Sequence, residues 1–131
     1  MNKHRKISDL RSPLARARGF GSAKEGVQHW WAQRLTAVAL VPLTLWLVAA
    51  MVALAGADHE AVTSWIRRPA SAVLLVLLIA ATFHHAQLGL QVVIEDYAHT
   101  ESIKIVCLLA VKGLAVFLTA VGIFAVLKIA L

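Results

Sequence analysis

Three long apolar runs, Leu35 to Ala55, Pro69 to Ile94 and Ile103 to Leu131, take up most of this sequence and decide what it can fold into. Each is long enough to cross a hydrocarbon core of about 30 Å. Backbone groups in lipid must find their partners within a helix or a closed barrel. Barrel strands would alternate in polarity over about ten residues, and these runs, rich in Leu, Ala and Val, do not alternate. The composition agrees, because a chain of 131 residues that is 60% hydrophobic and 15% charged lacks the polar surface of a soluble globule of its size. The expected fold class is an all-α membrane protein with three transmembrane helices.

The formal net charge of +6 does not indicate a nucleic-acid binder, because the basic residues are unevenly placed. Lys3, Arg5, Lys6, Arg11, Arg16, Arg18, Lys24 and Arg34 all precede or open the first run. By the positive-inside rule this end stays on the cytoplasmic side. The loop from Gly56 to Arg68 then lies outside and the turn from Glu95 to Ser102 inside, with Arg67 and Arg68 counting slightly against that orientation. In a bacterium this is a multi-pass protein of the inner, cytoplasmic membrane.

Two parts follow, a basic cytoplasmic arm over 1–24 and a three-helix membrane domain over 25–131. With Pro13, Gly19 and Gly21 the arm reads as irregular, lying on anionic headgroups or on a soluble partner. A short helix from Glu25 to Gln33 leads into the first span. Trp30 and Trp31 mark one interface and Trp65 the other. The first run ends in small residues like a signal-peptidase site, but the long leader before it argues for a retained helix. Cys107 is the single cysteine, so no internal disulfide can form. Asp58, His59 and Glu60 have metal-like letters without rigid spacing and read as a solvated loop.

No internal repeat or pair of broken helices marks a transporter. Lipid gives helices no hydrophobic reason to associate, so a partner is expected, and Gly113, Ala120 and Gly122 would permit close contacts.

Polarity inside the membrane is concentrated in the second run, at His84, His85, Gln87 and Gln91. Such residues are functional candidates by default. At about 100° per residue, His84, Gln87, Gln91 and Glu95 form one stripe, whereas His85, Gly89 and Asp96 form a neighbouring one. Asp96 is then about 16 Å along the axis from His85. A buried neutral imidazole either hydrogen bonds to a neighbouring helix or ligates a metal or haem iron. Mid-membrane depth and the missing side chain at Gly89 favour room for a flat macrocycle, and haem iron is commonly held by histidine. Adjacent histidines point about 100° apart and cannot sandwich one iron. A second axial ligand would come from another chain.

His85, Gly89, Gln91 and the closing Asp96-Tyr97, together with Gln33-Arg34-Leu35-Thr36-Ala37 at the entry to the first span, resemble the succinate dehydrogenase hydrophobic membrane-anchor family, the D chain. The resemblance covers roughly Gly26 to the end. It implies pairing with a second three-helix anchor, the C chain, and attachment of an iron-sulfur subunit and a flavoprotein subunit on the inner face. It implies a b-type haem shared between the anchors, with His85 as axial ligand and Arg34 on a haem propionate. It also implies a ubiquinone pocket near the inner interface, where Tyr97 donates to a quinone carbonyl and Asp96 orients the pocket or relays protons. Such a subunit carries electrons and does not itself oxidise succinate. His29, near this arginine, is not taken as a primary site, and His84 reads as a hydrogen-bonding neighbour. Lys112 reads as snorkelling inward or pairing with an inner-loop acid, and Lys128 as marking the outer interface.

Two other classes compete with this expectation. One is a haem-free structural anchor of a fumarate reductase-like complex, in which the histidines merely join helices. The other is a small helical transporter or assembly protein whose polar stripe lines a water-filled path.

Overall fold

The computed structural model describes residues 24–131, which form four helices and no strand. These are α1 (Lys24–Ala53), α2 (His59–Arg67), α3 (Pro69–Tyr97) and α4 (Glu101–Ala130). Three of them, over Gly26–Ala53, Pro69–Tyr97 and Glu101–Ala130, are long and apolar enough to cross a membrane. The basic arm lies outside the described residues apart from Lys24, which opens α1.

The first span does not start with a separate leader helix. Residues from Lys24 onward continue without a break into the apolar run, giving a helix of 30 residues, about 45 Å at 1.5 Å per residue. That exceeds a hydrocarbon core of about 30 Å, so the turns carrying Trp30, Trp31 and Arg34 extend into headgroup depth. Pro42 lies inside α1 and removes one helical donor. The helix ends where Gly56 takes φ of 80°, a left-handed conformation that suits glycine.

The segment read as a solvated loop contains α2. Asp58 is its N-cap, and its carboxylate accepts from the Ala61 N–H at 2.8 Å. Asp58 and Glu60 therefore start a helix, and no metal is needed to explain them. Trp65 on α2 stacks on Trp46 of α1, with ring centroids 5.4 Å apart and planes 24° from parallel. Trp65 is thus a packing residue as well as an interfacial one. Arg68 ends α2 and precedes α3 in extended geometry, as expected before Pro69, which occupies the first turn of α3. Arg67 Nε donates to the Ile129 carbonyl at 3.2 Å, satisfying a carbonyl in the last turn of α4.

α3 is the middle of the fold. It packs against α1 on one side and α4 on the other, while α1 and α4 make no contact with each other. The buried residues follow from this. Ser71, Ala72, Leu78 and Leu88 are on α3, and Val126 is on α4. Side chains on the outer faces of α1 and α4, such as Val38, Leu45, Val106 and Phe117, are exposed and apolar. Lipid or a partner helix is their natural solvent.

Candidate functional site

Because α3 has neighbours on both sides, its two polar stripes meet different helices. His85 is half-buried and faces α1, where its Nδ1 lies 3.0 Å from the Thr36 hydroxyl. Gly89, one turn on, lies beside Gln33 of the same helix, and a Cβ built there would have the Gln33 amide nitrogen 3.8 Å away. These two pairings give α1 and α3 an antiparallel register. It sets the first turns of α1 opposite the last turn of α3.

Beside His85 is an open cavity of about 440 Å³ lined by Trp30, Gln33, Arg34, Ala37 and His85. Four of the five residues come from α1 at spacings of three and four, one face of that helix. The Arg34 guanidinium lies over the Trp30 ring at 5.0 Å from the centroid, and Trp30 meets Trp31 edge-on, also at 5.0 Å. The contact with the ring face holds a cation at the rim without consuming its donors. An imidazole and a guanidinium thus share one cavity. His29 lies at i−4 from Gln33 and i−7 from Thr36, on the same side of α1. Its Nε2 is buried with no hydrogen-bond partner. A buried unpaired nitrogen is costly, so this face of α1 has capacity for a further polar contact.

His84 belongs to the other side. It lines an open groove between α3 and α4, with Ala80, Gln87, Ala115, Thr119 and Ala120 among its neighbours. A turn or two along, Gln87, Gln91 and Lys112 share a second hollow, and Gln91 Nε2 donates to Glu95 Oε1 at 2.9 Å. The hydrogen bond at i, i+4 closes the stripe on itself.

Asp96 and Tyr97 lie on the last turn of α3, both exposed, Tyr97 at 80% of its free surface. They do not line the cavity that holds His85 and Arg34. By periodicity Asp96 is on the α1-facing side with His85, and Tyr97 is turned about 100° from it. Among the described residues no group of three or more His, Cys, Asp or Glu side chains comes together as a metal cage.

The fold places the chain in the class of small membrane proteins with three helices long and apolar enough to span. It belongs to the family described as succinate dehydrogenase/fumarate reductase transmembrane subunit, which it matches over residues 8–127. It is 36% identical over 104 residues to the succinate dehydrogenase hydrophobic membrane anchor subunit of Rickettsia bellii, covering 79% of this chain and 83% of that one. Its similarity to the subunit of the same name from Paracoccus denitrificans is 34% over 86 residues, 66% of this chain and 67% of the other. The succinate dehydrogenase membrane anchor subunit of Reclinomonas americana is 28% identical over 100 residues, 74% of this chain and 83% of that one. The family resemblance carried by His85, Asp96-Tyr97 and the entry to the first span agrees with these matches.

Proposed function

We propose that this chain is the hydrophobic membrane anchor of a succinate dehydrogenase of a bacterial inner membrane, sharing a b-type haem with a second three-helix anchor and forming part of a ubiquinone-reduction site. The observation that carries the haem assignment is a half-buried imidazole and a guanidinium lining one cavity, with one ring nitrogen engaged by Thr36 and the other left over. That donor set fits the group. His85 would bind iron, Arg34 would hold a propionate through charge-assisted hydrogen bonds, and the apolar helix faces would keep water out. The haem, when bound, supplies a one-electron carrier. His85 is the single histidine lining this cavity, so any further protein ligand would come from the partner anchor.

Tyr97 and Asp96 form the quinone end, about 18 and 16 Å from His85 along α3. The exposed Tyr97 hydroxyl is free to donate to a quinone carbonyl, and the Asp96 carboxylate to orient the pocket or pass protons. The concentration of Lys and Arg before the first span puts the amino terminus on the cytoplasmic side, where the iron-sulfur and flavoprotein subunits would dock. Succinate oxidation belongs to those subunits. The test is a reduced-minus-oxidised visible spectrum of the gently solubilised complex. A b-type signal lost in His85→Ala and kept in His84→Ala is expected, and a signal intact in His85→Ala would refute the ligand assignment.

The bond from His85 to Thr36 is also what a haem-free structural anchor would use to join its helices. An intact complex with flavin and iron-sulfur clusters but no haem would select that reading.

A further inference from the structure

The hydrogen-bond arithmetic at Thr36 bears on which nitrogen of His85 can ligate. Thr36 Oγ1 lies 2.8 Å from the Ala32 carbonyl, 3.0 Å from the Gln33 carbonyl and 3.0 Å from His85 Nδ1. A hydroxyl has one proton and two lone pairs. Carbonyls only accept, so the proton that serves the two of them leaves the lone pairs of Oγ1 to face the ring. With the proton on the carbonyls, Nδ1 is the donor of the 3.0 Å contact. A neutral imidazole with its proton on Nδ1 keeps a lone pair on Nε2, the nitrogen that ring geometry directs away from Thr36.

We propose that Thr36 is a positioning residue that holds His85 as the Nδ1–H tautomer, with its ring fixed against α1, and so presents Nε2 as the ligating nitrogen. The part concerning ligation rests on the haem reading above, whereas the tautomer does not. Two features favour a built contact over a chance one. Thr36 is itself locked, because its β-branched side chain has few rotamers in a helix and this one is held by two carbonyls. The bond also joins residues 49 apart in sequence, and among the described residues it is the side chain to side chain hydrogen bond that ties α1 to α3. A group accepting from the second nitrogen of a ligating histidine orients the ring and raises its basicity. More electron density at the ring favours the ferric state, so Thr36 would lower the haem potential.

The test uses the whole complex and the variants Thr36→Val, which keeps the shape and removes the acceptor, and Thr36→Ser, which keeps the hydroxyl. In Thr36→Val the midpoint potential should rise, and haem retention on dilution in detergent should fall roughly tenfold. Thr36→Ser should restore both. A Thr36→Val complex with unchanged potential and retention would overturn the proposal. In parallel, the full chain labelled with ¹⁵N-histidine should show His85 protonated at Nδ1 by NMR in the wild type and a mixed tautomer in Thr36→Val. Protonation at Nε2 in the wild type would overturn the tautomer assignment. A wild-type complex without haem, or one whose haem survives His85→Ala, would overturn the ligation part together with the functional reading. The tautomer measurement would still decide what Thr36 does.

Discussion

The two sides of α3 are built from the same letters and come to different ends. Toward α1, His85 meets a hydroxyl and opens onto a cavity that also holds Arg34. Toward α4, His84 shares an open groove with Ala, Thr and Gln side chains and no cation. The helices also approach differently. A Cβ at Gly89 would have its nearest neighbour at 3.8 Å, whereas one at Gly122 of α4 would be 2.9 Å from Ile79 Cγ2. The α4 side is therefore a tight helix–helix contact, and the α1 side is a looser one that leaves room. Adjacent histidines acquire separate chemistry because a step of one residue on a central helix is a change of neighbour.

The histidine pair gives the strongest way to break this comparison. His85→Ala should abolish haem binding and His84→Ala should leave it nearly unchanged, read as haem per flavin in the purified complex. Equal losses would erase the distinction between the sides. The glycines come next. Gly122→Ala should destabilise the α3–α4 contact by about 1–3 kcal/mol through overpacking on Ile79, and should cost less in an Ile79→Ala background, which removes the Cγ2 atom it would meet, measured by detergent-titrated unfolding. Gly89→Ala should leave that transition in place. Tyr97→Phe should reduce quinone reduction by about tenfold, the scale of one lost hydrogen bond, while succinate oxidation with an artificial acceptor is retained. A fall in both activities would remove Tyr97 from the pocket. The smallest effect is expected at Asp58→Ala, which should cost about 1 kcal/mol of local α2 stability and move neither haem content nor quinone reduction.

Hydrophobic length made the three spans legible, and helical periodicity separated His84 from His85, because both are properties of one segment at a time. What stayed hidden depended on how segments meet. Thr36 was visible only as part of a motif, since no periodicity reveals which residue of a neighbouring helix is level with His85. The signal available was the spacing of His29, Gln33 and Thr36, at i, i+4 and i+7, a polar side of α1. Trp46 passed as one more apolar residue until its stacking on Trp65 showed it anchoring α2. Helix α2 itself was obscured because it has no long apolar run to announce it, although Asp58 ahead of His59 and Glu60 is a sound start signal. Of the small residues in the last span, Gly122 is held by a close contact and Gly113 has nothing within 4 Å.

Because α1 and α4 do not touch, the molecule is a single-file row of helices and not a closed bundle. A row has two unprotected flanks. A newly inserted copy without its companions would leave His84, Gln87 and Lys112 bordering hydrocarbon, where polar groups are expensive. Supply of this chain would then have to be matched to that of its companions, with any surplus a ready substrate for the proteases that clear orphaned membrane subunits.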